Sequence, residues 1–247
     1  MNRQTVTEVF QSYVENYDLE GTKIKIKVNH TYRVAGLSEV IAQSLQLEQE
    51  DVDLAWLIGM LHDIGRFEQL RRFDTFHDAE SVDHAKLAVK ILFEDGLIRH
   101  FLSEVKYDAI IQDAVQYHSA YRIPEEMDAR TRQFCDIIRD ADKVDIFRVN
   151  AETPLEEIYN IPAEEFYTST ITPEVLEAYE QGDTVLRSLK KTAMDYVVGH
   201  ISLRNGLVYQ KSRELVSEQG YLQKMLDFPT RNPETKKQLE QIRQQIH

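Results

Sequence analysis

Residues 54–66 read Leu-Ala-Trp-Leu-Ile-Gly-Met-Leu-His-Asp-Ile-Gly-Arg, an apolar run that ends on an imidazole next to a carboxylate. Adjacent residues of a helix point about 100° apart, so His62 and Asp63 can reach one ion only where the helix ends or distorts. Gly65 supplies that conformational freedom. A charged Asp63 after such a run is costly to bury alone, and a bound cation removes that cost. The stretch therefore predicts a buried helix that ends in a metal site.

On the N-terminal side of this run, apolar residues recur at helical spacing. The pattern predicts a first helix from about Thr5 to Tyr17 and a second helix that carries apolar residues from Val28 to Leu45. Residues 24–27 alternate as Ile-Lys-Ile-Lys, which is also compatible with a strand. We favour a helix there, because the 3.6-residue pattern continues downstream without a breaker.

On the C-terminal side, a polar loop is predicted from Glu68 to Asp78, next to the metal site. Long loops in such positions are often functional. Helical periodicity then predicts three further helices, at about Ser81 to Gly96, Ser103 to His118 and Ala129 to Val149.

Beyond residue 150 the periodicity weakens. Residues 150–170 contain two prolines and are predicted to form an irregular, partly exposed connection. The triplet Thr172-Pro173-Glu174 is typical of a helix start. Two long helices are predicted over residues 173–228, and the polar tail over residues 234–247 is interpreted as a frayed helix.

The fold class predicted from these patterns is all-α. With only 9 Gly and 6 Pro in 247 residues, the chain favours long helices over many short strands. We expect a metal-binding helical core over residues 1–150 and a helical extension over residues 151–247 that packs on the same domain.

The charge balance limits the partners of the chain. With 42 acidic against 29 basic residues the net charge is -13, which disfavours binding of duplex nucleic acid. Cys135 is the one cysteine and lies among apolar residues, so we expect a core residue in a cytoplasmic protein without disulfides. The longest apolar stretch, from Ala55 to Leu61, is too short to cross a membrane.

Four residues on other predicted helices are candidate partners for the His62-Asp63 pair: His30, His84, His118 and Asp142. A helical bundle can bring such side chains together in its core. His77 is the rival of His84, which we prefer because it lies within a helical pattern. The remaining histidines, His100, His200 and His247, are interpreted as structural or surface residues.

In this ordered set the chain resembles the HD superfamily, specifically its His-Asp-Ile-Gly variety, over about residues 24–150. The resemblance implies a bundle of five or more core helices and a divalent ion held by His30, His62, Asp63 and Asp142. It also implies a second ion, bridged by Asp63 and completed by His84 and His118. Iron, manganese, cobalt, magnesium and zinc are the candidate metals, with one or two ions bound.

The chemistry that the resemblance implies is hydrolysis of a phosphate ester or anhydride of a nucleotide or a related small molecule. Asp63 and Arg66 would carry catalysis. The basic residues near the motif are the candidate substrate contacts: Arg33, Arg66, Arg71 and Arg122. Asp140 and Asp145 are candidates for orienting the imidazoles, without a ranking between them. The segment Arg122-Ile123-Pro124 departs from the Gly-Tyr-Pro stretch of some relatives, which weakens the case for cyclic dinucleotides.

Two other functions stay open for this scaffold. Some HD proteins are di-iron oxygenases, which need two irons and an open position for dioxygen. A non-catalytic metal or nucleotide sensor is the third hypothesis, although every ligand position of the motif is filled here. The sequence also leaves a homo-oligomer open, and it assigns no role to residues 151–247.

Overall fold

The structure, a computed structural model, describes residues 1–245 and divides into two compact units after Asp145. Within residues 1–245 every regular element is a helix, which confirms the all-α fold class. No helix in this part of the chain is both long and apolar enough to cross a membrane. Cys135 is fully buried, as the sequence predicted.

The first unit is built from seven complete helices and most of an eighth. Their bounds are α1 Arg3–Val14, α2 Thr22–Ser44, α3 Gln49–Leu61, α4 Ile64–Phe73, α5 His84–Val89, α6 Ile98–Phe101, α7 Asp108–Tyr117 and α8 Ala129–Glu152. A π-helical turn, Lys90–Glu94, extends α5. The division between the two units falls inside α8.

Helices α2 and α3 form the centre of this unit. The second half of α3 is apolar almost all round, and residues 57–61 are buried, with Leu57, Met60 and Leu61 fully inaccessible. A Cβ on Gly59 would lie only 2.5 Å from the Cα of Ala35, so glycine lets the two helix backbones approach closely. Residues 24–27 lie within α2, which confirms the helix preferred over the strand.

The prediction of a loop from Glu68 to Asp78 is wrong over its first half, because α4 continues to Phe73. Polar residues made this segment resemble a loop, yet Glu68 and Gln69 are buried and paired with other polar groups. The actual connection covers residues 74–83. We call it the strap, and three hydrogen bonds from Gln69 Nε2 hold it, to Asp78, Ser81 and Val82.

Gly65 has a different role from the one predicted. Helix α3 does end at Leu61, so that His62 and Asp63 lie between two helices, but Gly65 itself is helical. A Cβ at Gly65 would lie 2.7 Å from the backbone nitrogen of Ala88. Its missing side chain therefore allows α4 to pack against α5, which carries His84.

The second unit consists of shorter helices. Their bounds are α9 Leu155–Tyr159, α10 Ala163–Thr168, α11 Pro173–Glu180, α12 Ala193–Ile201, α13 Gln210–Gln219, α14 Tyr221–Leu226 and α15 Pro233–Gln244. The prediction of an irregular connection over residues 150–170 is wrong, because α9 and α10 lie there and bury Tyr159 and Phe166. The helix start at Pro173 is confirmed.

The prediction of two long helices over residues 173–228 is also wrong. The chain turns at Gly182 and Gly220, whose φ angles are +79° and +69°, a region that glycine adopts at little cost. The tail forms an ordered helix rather than a frayed one, because Asn232 caps α15 and Leu239 and Ile242 are buried.

Candidate metal centre

Six polar side chains from five places along the chain converge inside the first unit. They are His30 on α2, His62 and Asp63 between α3 and α4, His84 at the start of α5, His118 after α7 and Asp142 on α8. None is more than 9 % exposed. A cluster this polar and this buried needs internal pairing or a bound ion to be stable.

Asp63 divides the cluster into two corners. Its Oδ2 lies 3.7 Å from His30 Nε2 and 3.6 Å from His62 Nε2. Its Oδ1 lies 3.5 Å from His84 Nε2 and 3.6 Å from His118 Nε2. One carboxylate therefore presents each of its oxygens to a different pair of imidazoles.

Asp142 adds a second carboxylate to one corner only. Its Oδ1 lies 3.0 Å from His30 Nε2 and 3.9 Å from His62 Nε2. The first corner is the set His30, His62, Asp63 and Asp142, and the second corner is the set Asp63, His84 and His118. In each corner the ligand atoms of Asp63 and its two histidines lie within 4.8 Å of one another.

Backbone carbonyls fix the tautomers of two histidines. His62 Nδ1 lies 2.7 Å from Gly59 O, and His118 Nδ1 lies 2.7 Å from Val115 O. A carbonyl only accepts, so each Nδ1 must be the protonated, donating nitrogen. In the neutral imidazole the Nε2 atom then carries the lone pair, and in both histidines that atom faces the cluster.

Carboxylates orient the other two histidines. His30 Nδ1 donates to Asp145 Oδ2 at 2.8 Å, and Arg33 Nε donates to Asp145 Oδ1 at 2.7 Å. His84 Nδ1 donates to Asp78 Oδ2 at 2.8 Å. A carboxylate behind a ligating imidazole fixes the ring and raises its basicity, as in many metal sites. Asp145 is thus the residue that orients His30.

The inward nitrogens form two close pairs. His30 Nε2 and His62 Nε2 are 3.4 Å apart, and His84 Nε2 and His118 Nε2 are 3.0 Å apart. His84 and His118 each donate from Nδ1, so in the neutral rings their Nε2 lone pairs face each other and repel. In the other pair, the lone pair of His62 faces His30 Nε2, which also lies 3.0 Å from Asp142 Oδ1. Two nitrogens bound at about 2.1 Å to one ion are roughly 3.0 to 3.4 Å apart in octahedral or tetrahedral geometry. The donor set and its spacing therefore fit a divalent cation in each corner.

The protonation states also suit metal binding. Burial lowers the pKa of His62 to about 3 and that of His84 to about 4. Burial opposes the charged form of Asp63, but neighbouring positive charge, that of Lys27 first, outweighs it and holds the pKa of this carboxyl well below its usual range. At neutral pH these two imidazoles are neutral and the carboxylate is charged, which are the forms that bind metal.

Residues 28–147 match the family model of the HD domain, and this range contains all six residues of the cluster. This part of the chain is an HD domain. Members of the HD domain family are for the most part metal-dependent hydrolases. Searches of curated proteins and of solved structures returned no match.

The arginines near the HD cluster occupy different positions. Arg66 Nη1 donates to Asp78 Oδ1 at 2.7 Å and to Phe76 O at 2.8 Å, while its Nε lies 3.7 Å from Asp63 Oδ1. Arg33 contacts Asp145 behind His30, as described above. Two others are exposed, Arg71 in an ion pair with Glu68 and Arg122 over the ring of Tyr121. Of the four, Arg66 alone lies against Asp63 in the described contacts.

The histidines outside the cluster have other surroundings. His77 lies on the strap, and its Nδ1 is 3.9 Å from Glu80. His100 is exposed. In the second unit His200 Nδ1 lies 2.5 Å from the hydroxyl of Tyr159. His247 lies outside the described residues.

Sequence reasoning missed two residues that contact the HD cluster. Lys27 Nζ lies 2.6 Å from Asp63 Oδ2, and Asp78 contacts both His84 and Arg66. Lys27 comes one helical turn before His30, so the i, i+3 spacing could have revealed it. Asp78 gives no such signal, because its position depends on how the strap folds back.

Proposed function

We propose that this HD domain is a metal-dependent phosphohydrolase that cleaves a phosphate ester or anhydride of a nucleotide or a related small molecule. The observation that carries the proposal is the placement of Asp63, whose two oxygens each face the Nε2 atoms of two imidazoles. This arrangement supports two divalent ions bridged by one carboxylate, with iron, manganese, cobalt, magnesium or zinc as candidates.

The residues of the chain would hold and orient the reacting groups. Bound divalent ions supply an acidified water and neutralise charge on the phosphoryl oxygens. Asp63 fixes the separation of the two corners, while Asp145 and Asp78 fix the imidazoles behind them. The burial of the cluster lowers the local dielectric constant, which strengthens each electrostatic contact.

Arg66 is the residue best placed to contact a phosphoryl oxygen. Its Nε is buried and makes no hydrogen bond with any residue of the described range 1–245. Its Nη1 is held by Gln69, Phe76 and Asp78, so the orientation of the guanidinium is fixed. An unpaired, buried N–H beside Asp63 supports Arg66 as a donor to bound phosphate.

Local charge also favours an anionic substrate despite the net charge of the chain. Lys27 lies against Asp63 Oδ2 and Arg66 lies near Asp63 Oδ1, so a cation flanks each side of the bridging carboxylate. Both cations lie near the half-buried ring of Phe76, at 5.2 Å and 5.9 Å from its centroid. A small phosphorylated molecule needs only such a local cationic surface, whereas a nucleic-acid duplex needs an extended one.

The test is product analysis on a panel of nucleoside mono-, di- and triphosphates, cyclic nucleotides and dinucleoside polyphosphates. Each candidate metal is added separately, and Asp63→Asn is compared with Asp95→Asn, a change at an exposed carboxylate. Metal-dependent release of phosphate or nucleotide by wild type and Asp95→Asn, but not by Asp63→Asn, is expected. A wild-type protein that binds metal and turns over nothing in the panel contradicts the proposal.

A further inference from the structure

Lys27 occupies an unusual position for a lysine. Its ammonium lies 2.6 Å from Asp63 Oδ2, the same oxygen that faces His30 and His62 in the first corner. The side chain of Lys27 is 16 % exposed and that of Asp63 only 3 %. In an ion pair this buried, each partner is costly to leave alone. In this structure the ammonium therefore supplies the positive charge that Asp63 needs.

A divalent ion in the first corner would compete for that oxygen. The ion would use Asp63 Oδ2 together with the imidazoles, and it would neutralise the carboxylate that now holds Lys27. It would also repel the ammonium, because two like charges would lie a few ångströms apart in a poorly solvated site. A lysine ammonium is a point charge on a flexible four-carbon stem, so it can turn away from the ion.

The surroundings of Lys27 indicate where it would turn. Its Nζ lies 5.2 Å from the ring centroid of Phe76, which is half-buried on the strap. Arg66 lies on the other side of Asp63 and contacts the same ring. A phosphoryl group on the ions would therefore find Arg66 on the Oδ1 side and Lys27 on the Oδ2 side.

We propose that Lys27 neutralises Asp63 in the metal-free protein, is displaced by the ion of the first corner, and then contacts the phosphoryl group of the substrate. The second contact rests on the proposed function, whereas the displacement does not. One side chain would thus oppose metal binding and favour phosphate binding. A residue with a merely structural role would weaken both when it is replaced.

The experiment measures two affinities without turnover. Mn²⁺ binding is followed by isothermal titration calorimetry for wild type, Lys27→Met, Lys27→Arg and the control Lys25→Met. Lys25 lies two residues away on α2 and pairs with Glu20 at the surface. Inorganic phosphate is then titrated into each protein after loading with Mn²⁺. Circular dichroism checks that each variant is folded, and Lys27→Gln replaces Lys27→Met if the latter is not.

Lys27→Met is expected to bind the first Mn²⁺ roughly tenfold more tightly and phosphate roughly tenfold more weakly than wild type, within the usual range for coupling between two sites. Lys27→Arg keeps the charge and should retain most of the phosphate affinity, while Lys25→Met should match wild type. Manganese affinity that is unchanged or weaker in Lys27→Met overturns the displacement. Unchanged phosphate affinity overturns the phosphoryl contact.

These outcomes differ from a failure of the proposed function. A protein that hydrolyses no member of the nucleotide panel contradicts the phosphohydrolase. It leaves the manganese result for Lys27→Met unaffected, because that measurement needs no substrate.

Discussion

The first and second corners of the metal centre share Asp63 but differ in their other donors. The first corner has two imidazoles and the additional carboxylate of Asp142, whereas the second has only His84 and His118 besides Asp63. A complete set of protein donors is typical of firmly held ions, and a set of three with open positions is typical of catalytic ones. The difference suggests that the second corner is where water and substrate have access.

The change with the largest expected effect removes what the corners share. Asp63→Asn keeps the shape of the side chain but removes its charge, so neither corner keeps an anionic oxygen from this residue. We expect both ions to be lost and activity to fall by more than the roughly 10- to 100-fold typical of losing an outer ligand partner. Metal content after dialysis measures this, with Asp95→Asn as control. Retention of two ions by Asp63→Asn would show that Asp63 does not bridge them.

Substitutions in one corner should show whether the two corners bind their ions separately. His84→Gln removes one of three donors from the second corner, so we expect one ion to be lost and one to remain. His30→Gln tests the first corner in the same way. Equilibrium dialysis with Mn²⁺ gives the stoichiometry, and His77→Gln is the matched control on the neighbouring strap. If His84→Gln still bound two ions, the second corner would not be a metal site.

A smaller effect on metal affinity is expected when a residue that orients a ligand of the first corner is replaced. Asp145→Asn leaves every ligand in place but weakens the hydrogen bond that fixes His30 and releases Arg33. Metal affinity should fall by roughly 10- to 100-fold in the first corner alone. Asp136→Asn on the same helix provides the control in a Mn²⁺ titration. An equal loss in both corners would argue for a general loss of structure instead.

In the metal-free protein the corners should titrate differently. Burial lowers the pKa of His62 to about 3 and of His84 to about 4, so the unfolded chain protonates these residues first, near pH 6.5. Below that pH the unfolded state binds more protons than the folded state, so the free energy of unfolding decreases as the pH falls. For His30, burial lowers the pKa, but hydrogen bonds with Asp142 and Asp145 outweigh it and raise the pKa, which acts in the opposite sense.

Between about pH 6 and 5 the unfolded chain protonates His62 and His84, which stay neutral in the folded protein, whereas His30 is protonated in both states. The uptake of nearly two protons on unfolding lowers the free energy of unfolding by roughly 2 to 2.7 kcal/mol per pH unit over that interval. Urea unfolding with a chelator present measures this loss. Stability that is constant or rises over that interval would contradict the assigned protonation states.

The sequence predicted the part of the fold that hydrophobic periodicity controls. It identified α2, including residues 24–27, and the apolar run of α3, because apolar spacing there matches the buried face. It failed where polar residues are buried, as at Glu68 and Gln69 on α4, because periodicity treats such residues as exposed. In the second unit it missed the breaks that shorten the helices.

The six candidate ligands were identified in order along the chain, and the structure places them in one cluster. The sequence did not reveal which side chains lie behind them. Asp145 could be named but not ranked against Asp140, and Lys27 and Asp78 were missed. These contacts depend on rotamers and on the path of the strap, which a single sequence does not specify.

Anomalous diffraction from crystals of the protein loaded with Mn²⁺ tests the central claim most directly. We expect two peaks within about 4 Å of each other, the usual spacing of two-metal sites. One should lie among His30, His62 and Asp142, the other between His84 and His118, with Asp63 between the two peaks. A single peak away from Asp63, or none at saturating Mn²⁺, would contradict a metal centre bridged by this carboxylate.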